Sequence, residues 1–263
     1  MNDTASDHRG AGDADADAPI IETGSVPTLI HGHHLVWRGA DAPAQGGPLL
    51  VAFHGYGETA RHLLDVLRQL PDARHWTICA IEGLHRLYTR SGRIVGSWMT
   101  SAGRDAMIAD NIRYVGATIA AVRTQLGGAA RPMVFAGFSQ GVAMTYRAAA
   151  FAGHRPDGLI ALAGDVPPDV VAGLDGAPAP RLPPVLLGRG EEDGWYTAAK
   201  MNADLDALGK LGVAVETHVF PEGHVWAPSF CAAASDYLAA ARSRTEAAAV
   251  HADAISPDSD ASA

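Results

Sequence analysis

Several classes of protein are excluded by what this sequence lacks. Its 263 residues include two cysteines, Cys79 and Cys231, too few for a disulfide framework. Both lie in apolar or helical stretches, so we expect buried thiols in a reducing compartment. No run approaches the roughly 18 consecutive apolar residues of a membrane-spanning helix, and the N-terminus is acidic where a secretory signal would be basic and then apolar. We therefore expect a cytoplasmic location and no stable membrane insertion.

Positive charge is scarce and is not clustered. The chain has 20 Lys and Arg against 29 Asp and Glu, a formal net charge of −9. Contacts to phosphates need clustered cations, so we expect no nucleic-acid partner. The acidic surplus lies at the two ends. Residues 1–24 contain six acidic residues and one arginine, and residues 245–263 contain four acidic residues and no Lys or Arg. The remaining residues, 25–244, contain 19 charges of each sign.

The two acidic ends also lack apolar periodicity. Such segments cannot bury enough apolar surface to offset their ordering entropy, so we predict disordered tails over 1–24 and 245–263. Residues 25–244 contain no internal repeat and no linker. The chain is 48% hydrophobic and 19% charged, a balance that fits a globular core. We therefore predict one domain between the tails.

Within the body, short apolar runs alternate with longer segments of helical period. The strand candidates are 29–37, 48–53, 76–81, 132–138, 158–163, 184–188 and 213–220. The helix candidates are 63–70, 108–126 and 201–208, followed by a last helix that ends near 243. This alternation predicts an α/β fold with a mostly parallel sheet. Two long loops, 82–104 and 164–183, follow strand ends at the carboxyl edge, where such sheets bind ligands.

One strand candidate ends in a serine with a glycine two residues to either side. Residues 133–141 read Met-Val-Phe-Ala-Gly-Phe-Ser-Gln-Gly, and a helix-compatible stretch follows. The pattern G-x-S-x-G is typical of a nucleophile elbow, a strained strand-to-helix turn that exposes the hydroxyl of Ser139. The amides at the start of the following helix favour negative charge at the same place. Ser139 is therefore the candidate nucleophile, and a small-residue turn without chemistry is the alternative.

An earlier strand candidate ends in a glycine-rich turn, His54-Gly-Tyr-Gly57. Acyl transfer places negative charge on the former carbonyl oxygen, and two backbone N–H groups can stabilise it as an oxyanion hole. We predict the N–H groups of Tyr56 and Gln140 for this role, one from each turn. The alternative for His54-Gly55 is a plain β-turn. We expect His54 to be a structural hydrogen-bond partner and not the catalytic base.

A serine nucleophile needs a base, and the base needs a carboxylate to orient it. After the strand at 184–188, a G-x-x-D turn ends at Asp193, the candidate acid. Glu191 and Glu192 are alternatives, although solvated loop charges explain them more simply.

Two histidines lie near the end of the strand at 213–220. His224 follows the strand and can reach over the elbow, so it is the candidate base. His218 lies within the strand, where the pleat fixes the direction of its side chain, and is the alternative.

Seven other residues are candidates for a site. His31, His33 and His34 form a cluster near the start of the body, but no cysteine or carboxylate accompanies them at ligand spacing, so we expect no metal. Four aromatic residues lie in or near the loops just named: Trp98, Trp195, Tyr196 and Trp226. They either line an apolar substrate pocket or close the core beneath the loops, and the sequence favours neither interpretation.

The elbow Gly137-Phe-Ser-Gln-Gly141, the turn His54–Gly57 and the chain order of Ser139, Asp193 and His224 resemble the phospholipase/carboxylesterase family of α/β-hydrolases. That family includes the acyl-protein thioesterases. The resemblance implies a mostly parallel twisted sheet of about seven or eight strands, helices on both faces and little or no cap domain. It also implies a Ser-His-Asp triad, an oxyanion hole formed by the two predicted amides, and no cofactor.

The same resemblance implies hydrolysis of carboxylic esters or thioesters. We predict a serine esterase that cleaves small acyl or lysophospholipid-like substrates through an acyl-enzyme intermediate, and the charge-balanced body suits uncharged acyl groups. A dienelactone-hydrolase-like or peptidase-like enzyme would use the same triad. A catalytically silent α/β-hydrolase acting as a binding module is the alternative from another class. The expected partner is a small-molecule ester, and a homodimer is the one assembly that we consider.

The sequence departs from the family in two loops. Where the family has Trp-Phe-Asp, this chain has Ser97-Trp-Met-Thr100, which retains only the tryptophan. After the candidate acid, Gly194-Trp-Tyr196 replaces a Pro-Val-Val-like run. The added bulk predicts a smaller or differently shaped acyl site.

Overall fold

The structure is a computed structural model that describes residues 22–128, 131–176 and 182–255. The body begins at His31, and the described residues before it form no helix or strand and group separately. Most of the predicted tail 1–24 lies outside the described residues. The division into one domain and two tails therefore stays a prediction.

Seven strands of the described residues form one sheet, and two more form a separate hairpin. The strands are β1 (His34–Arg38), β2 (Leu49–Phe53), β3 (Thr77–Ile81), β4 (His85–Tyr88), β5 (Ile94–Ser97), β6 (Met133–Phe138), β7 (Gly158–Leu162), β8 (Val185–Gly190) and β9 (Val215–Phe220). The sheet order is β1-β3-β2-β6-β7-β8-β9. Neighbours run parallel except β1 and β3, which are antiparallel. The predicted mostly parallel sheet is confirmed.

The central strands are continuous apolar runs because helices cover both faces of the sheet. Every residue of β2, β3, β6 and β7 is buried, as expected of parallel strands covered on each side. By contrast, β1 at the sheet edge alternates exposed and half-buried residues. The register pairs Phe53 at the end of β2 with Gly137 near the end of β6. The glycine-rich turn and the elbow therefore leave the sheet side by side.

The helices lie on both faces of the sheet, as predicted. They are α1 (Ala60–Leu67), α2 (Arg104–Gln125), α3 (Gln140–Phe151), α4 (Pro168–Leu174), α5 (Ala198–Lys210) and α6 (Pro228–Ile255). Threonine side chains cap two of them: Thr59 accepts a hydrogen bond from the amide of His62, and Thr197 from that of Lys200. Within the described part of the chain, no helix is long and apolar enough to cross a membrane.

The predicted long loop 82–104 contains regular structure, so the prediction of a loop throughout is wrong. Strands β4 and β5 pair antiparallel within it. Two hydrogen bonds attach this hairpin to the turn after β2: the Gly57 N–H donates to the Gly96 carbonyl (2.9 Å), and the Gly96 N–H donates to the Glu58 carbonyl (2.7 Å). Residues of β4 alternate half-buried and exposed, a period-two pattern too short to stand out among Arg, Gly and Ser.

Two other boundaries differ from the predictions. The predicted loop 164–183 contains α4, which begins at a proline that is preorganised for the first helical turn. Helix α6 continues to Ile255, beyond the predicted end near 243 and into the predicted disordered tail 245–263. Alanine has the highest intrinsic helix propensity, so the alanine-rich end of α6 favours helix although it lacks apolar periodicity.

Candidate active site

Ser139 occupies the sharp turn between β6 and α3. Its backbone has φ 53° and ψ −119°, a conformation that costs a residue with a side chain roughly 1–3 kcal/mol. The Ser139 N–H donates to the Leu162 carbonyl (2.9 Å), which holds the turn against the next strand. Gly141 must be glycine here because a Cβ would clash with the carbonyl oxygen of Phe53. The G-x-S-x-G motif therefore lies in the strand–turn–helix context that it predicts.

Asp193 and His224 meet at the carboxyl edge of the sheet because they follow the neighbouring parallel strands β8 and β9. The Nδ1 of His224 lies 2.7 Å from Oδ2 of Asp193, a hydrogen bond in which the imidazole N–H donates. The other carboxylate oxygen accepts the N–H groups of Trp195 (2.8 Å) and Tyr196 (2.9 Å). The acid is thus fixed by three donors and is 4% exposed.

The environment of Asp193 favours its charged form. Burial alone raises the pKa of this carboxyl, but the hydrogen bonds from Tyr196, His224 and Trp195 together outweigh burial, so its pKa lies below the ordinary value. A carboxylate that stays ionised at neutral pH can hold the imidazole N–H of His224 in one orientation.

Ser139 and His224 line one cavity of about 650 Å³. The His224 ring packs against Phe138, with centroids 4.8 Å apart. No hydrogen bond joins the Ser139 hydroxyl to His224 among the residues that the structure describes. Such contacts are often long in the absence of substrate and tighten when one binds.

The backbone amides of Tyr56 and Gln140 are free to bind an oxyanion. Both residues line the cavity. The neighbours of Tyr56 are tied down: the Gly55 N–H donates to the Glu58 carboxylate (2.9 Å), and the Gly57 N–H donates to the hairpin. Within the described ranges, neither the Tyr56 amide nor the Gln140 amide donates to a protein acceptor. Each turn thus has one unused N–H group, on a residue that lines the same cavity as Ser139.

The side chain of Gln140 joins the elbow to the segment after β5. Its Oε1 accepts the Trp98 N–H (2.8 Å) and the Ser97 hydroxyl (3.2 Å), and its Nε2 donates to the Met99 carbonyl (2.9 Å). This side chain therefore holds residues 97–99 against the start of α3, and it leaves the Gln140 backbone amide free.

His54 is buried beneath the glycine-rich turn. Its Nδ1 donates to the Gly55 carbonyl (2.7 Å), and its Nε2 accepts the Gly83 N–H (3.0 Å). The His54 carbonyl accepts the indole N–H of Trp98 (2.8 Å). These contacts agree with the interpretation of His54 as a structural hydrogen-bond partner.

Trp98 does not belong to the cavity wall, so its interpretation as a pocket residue is wrong. It is 2% exposed, packs edge-on against Phe53 and is absent from the described residues that line the cavity. Its indole N–H needs a buried acceptor, which the His54 carbonyl supplies, and this draws the ring into the core. Trp195, by contrast, lines the cavity and is 77% exposed.

The alternative candidates lie elsewhere. Glu191 and Glu192 are exposed and form no side-chain hydrogen bond or ion pair within the described residues. His218 packs against Phe220 and Phe230. None of these three ionisable residues is among the described cavity-lining residues.

The remaining predicted features carry no chemistry that the structure reveals. Cys79 is buried, and burial raises the pKa of its thiol to about 12, while Cys231 is half-buried with a raised pKa for the same reason. Within the described ranges, no group of three or more His, Cys, Asp or Glu side chains, His31, His33 and His34 included, could hold a metal ion.

The sequence reasoning missed several residues around the cavity. Arg147 lines it from α3, and its spacing from Gln140 and Ala143 (i, i+3, i+7) is the signal that could have identified it. Tyr196, one of the aromatic candidates from the sequence, is among the lining residues, and its hydroxyl donates to the buried carboxylate of Asp204 (2.8 Å), which the sequence does not single out. No local pattern indicates that Asp204 contact, because it depends on how α5 packs.

A model of one protein family matches most of this chain. The family is described as Phospholipase/Carboxylesterase, and the match covers residues 36–242. The chain belongs to the phospholipase/carboxylesterase family. Membership confirms the predicted resemblance and makes the protein an esterase-type α/β-hydrolase. No curated protein gives a significant match.

Solved structures of several proteins share the fold of this chain. Esterase PE8 has 20% identity and a TM-score of 0.63, with 81% of this chain and 100% of that chain covered. The Bacillus cereus carboxylesterase has 15% identity and a TM-score of 0.62, with 80% and 94% covered. The Zea mays acyl-protein thioesterase 2 has 18% identity and a TM-score of 0.62, with 80% and 99% covered.

Proposed function

We propose that this family member is a serine hydrolase that cleaves carboxylic esters or thioesters of small acyl or lysophospholipid-like substrates through an acyl-enzyme intermediate. The observation that carries the proposal is the convergence on one cavity of a serine in a strained elbow, a histidine bonded to a buried carboxylate, and two unused amides. Nucleophile, base, orienting acid and oxyanion donors are the parts that acyl transfer requires.

In the acylation step, Ser139 Oγ attacks the acyl carbonyl carbon while His224 Nε2 takes the hydroxyl proton. The imidazolium that forms keeps its Nδ1–H on Asp193 (2.7 Å), whose negative charge stabilises it. The carbonyl oxygen becomes an oxyanion between the amides of Tyr56 and Gln140. The intermediate collapses when the bond to the leaving group breaks, and His224 gives its proton to the departing alcohol or thiol.

Water then completes the reaction by the same route. His224 Nε2 takes a proton from water, which attacks the acyl carbonyl of the Ser139 ester. The second tetrahedral intermediate collapses as the Ser139 oxygen leaves and recovers its proton from His224. The products are a carboxylic acid and the free enzyme.

A panel of 4-nitrophenyl esters and acyl thioesters of increasing chain length tests the proposal. We expect the wild type to hydrolyse short members and to react with a fluorophosphonate probe. Ser139→Ala should lower kcat by about a thousandfold or more and abolish labelling. Ser243→Ala, which changes an exposed serine on α6, is the matched control and should leave both unchanged. Equal rates for wild type and Ser139→Ala would contradict the proposal.

The panel also separates the alternatives. Preferential turnover of dienelactones or peptide amides, again dependent on Ser139, would change the substrate class and leave the triad in place. A catalytically silent binding module would bind acyl ligands in the cavity without hydrolysing any member of the panel. The free oxyanion amides and the ionised Asp193 favour the enzyme, because a binding module needs neither.

A further inference from the structure

The cavity wall carries more positive than negative charge. Among its described residues, Arg104, Arg147 and Lys200 are cationic and Asp165 is anionic. Lys200 Nζ lies 3.1 Å from Asp165 Oδ2, so the opposite charges of this exposed ion pair cancel. The two arginines Arg104 and Arg147 remain as charged residues of the cavity wall, although the charges of residues 25–244 balance as a whole.

Arg147 is built into the wall by the geometry of α3. Gln140, Ala143 and Arg147 lie at i, i+3 and i+7, so they share the face of the helix that lines the cavity. Arg147 is 5% exposed. Seven residues of helix correspond to about 10 Å along the axis, so Arg147 stands about two turns beyond the oxyanion amide of Gln140.

The guanidinium of Arg147 keeps unused donors. Its Nε and Nη2 donate to the two carboxylate oxygens of Asp169 (2.8 and 2.7 Å), a bidentate pair that fixes its plane. Its Nη1 donates to the sulfur of Met99 (3.6 Å), and a thioether is a weak acceptor. An arginine held this way presents an oriented edge that a stronger acceptor could occupy.

Arg104 supplies the positive charge that no carboxylate offsets. It is the exposed first residue of α2 and lines the same cavity. Within the described ranges, no Asp or Glu forms an ion pair with it. Arg147 and Arg104 thus combine an oriented guanidinium with one unpaired charge.

Resting on the proposed function, we propose that the physiological substrate carries a second, free carboxylate in addition to the scissile carbonyl, and that Arg104 and Arg147 bind it. A single unpaired positive charge matches a carboxylate, and planar N–H groups match its two oxygens. The expectation of uncharged acyl groups, drawn from the balanced net charge of the body, overlooks where that charge lies.

Two pairs of esters test this proposal. The acyl-side pair is 4-nitrophenyl hexanoate and 4-nitrophenyl monoadipate, which have equally long acyl chains and differ in the terminal carboxylate. The alcohol-side pair is the acetate ester of hexanol and that of 6-hydroxyhexanoate. We expect about tenfold higher kcat/KM for the carboxylate member of one pair, which also tells on which side of the scissile bond the carboxylate lies. Added salt should reduce the preference because Arg104 is exposed.

Substitutions then locate the preference. Arg104→Gln and Arg147→Met should each lower the ratio of kcat/KM values about three- to tenfold. Arg155→Gln is the matched control, since this exposed arginine follows α3 at the opposite edge of the sheet and does not line the cavity. Arg147→Met also removes the partner of Asp169, so Arg104→Gln is the variant that keeps the test independent of folding.

Binding provides a readout that does not need turnover. Adipate should bind Ser139→Ala, measured by calorimetry, and Arg104→Gln introduced into that variant should weaken the binding at least threefold. Equal kcat/KM within both ester pairs would overturn the carboxylate site while leaving Ser139 chemistry intact. Absence of ester hydrolysis and of probe labelling would instead overturn the proposed function, and adipate binding would then decide the carboxylate site alone.

Discussion

The two sides of the cavity are held in different ways. On one side, Asp193 and His224 follow adjacent strands of the central sheet, and three hydrogen bonds fix the acid. On the other side, residues 97–99 at the end of the β4–β5 hairpin lie outside that sheet, and side chains hold them: Gln140 binds all three, and Asn111 donates to the Trp98 carbonyl (2.8 Å). The catalytic candidates thus derive their positions from sheet topology, whereas the hairpin side depends on a few side-chain contacts.

This difference separates chemistry from substrate fit. Damage to the sheet side should remove kcat, because it disturbs proton transfer between groups that have no substitutes. Damage to the hairpin side should change the shape of the cavity and the stability of the segment while the nucleophile keeps working. Four substitutions test whether the two sides behave in this way, and the two with the largest expected effects on kcat come first.

Asp193→Asn should have the largest effect. An amide cannot stabilise the imidazolium as a carboxylate does, and it can hold His224 in the wrong tautomer, so we expect kcat for 4-nitrophenyl acetate to fall about a thousandfold or more. Glu192→Gln, in the same loop but exposed, is the control and should leave kcat unchanged. A large loss in Glu192→Gln with normal activity in Asp193→Asn would reassign the acid.

His224→Gln should lower kcat by about a thousandfold, since the Ser139 hydroxyl loses its base. The comparison is His218→Gln in β9, whose ring packs on Phe220 and Phe230 and away from the cavity. We expect His218→Gln to keep kcat and to lose some thermal stability. The reverse pattern in steady-state kinetics would show that the strand histidine is the base.

Asp204→Asn should change how stability depends on pH. Burial, aided by Asp165, raises the pKa of this carboxyl to about 6 against the lowering effects of the Tyr196 and Val166 hydrogen bonds and of Lys200. The folded state therefore binds a proton that the unfolded state releases near its ordinary pKa, so the wild type loses stability as pH rises through about 4 to 6.

Asparagine does not titrate. Raising the pH from about 4.5 to 8 should therefore lower the free energy of unfolding of the wild type by roughly 1–2 kcal/mol more than that of Asp204→Asn. Urea unfolding of both proteins at the two pH values measures the difference. Asp175→Asn, which changes a residue just after α4, is the control and should show no such change. A constant difference across the pH range would contradict the raised pKa.

Gln140→Ala should have the smallest effect on chemistry. It keeps the backbone amide but removes the side chain that holds Trp98 and Met99. We expect the free energy of unfolding to fall by roughly 1–3 kcal/mol and KM to rise several-fold, with fluorophosphonate labelling retained. Gln69→Ala, at an exposed glutamine after α1, is the control. A collapse of kcat without a change in KM would show that the hairpin side takes part in the chemistry.

The sequence allows good prediction where local pattern and topology agree. Ser139, Asp193 and His224 each follow a buried strand, and parallel strands bring their carboxyl ends to one edge. That reasoning predicts their proximity, and their catalytic roles remain our proposal. It also predicts the mostly parallel sheet, because strands buried on both faces are continuous apolar runs.

Contacts between distant elements escape such reasoning. The Trp98 indole N–H donates to the His54 carbonyl, 44 residues earlier in the chain. This contact places the Trp98 ring in the core and not in the cavity wall. The strands of the β4–β5 hairpin are too short for their two-residue alternation to be recognised in the sequence. Gly96 attaches the hairpin through backbone hydrogen bonds, which side-chain patterns do not reveal. Arg147 and Asp204 sit on helices whose spacing is visible, but their partners come from other elements. Tertiary packing, which local propensity does not encode, fixes these positions.

Trapping the covalent intermediate tests the central claim most directly. Wild-type enzyme mixed rapidly with a 4-nitrophenyl ester and quenched with acid should show, by intact mass and peptide mapping, one acyl group per chain on Ser139. Its appearance should coincide with a burst of 4-nitrophenol, and Ser139→Ala should show neither. Ester hydrolysis without any adduct, or with the acyl group on another residue, would contradict the account.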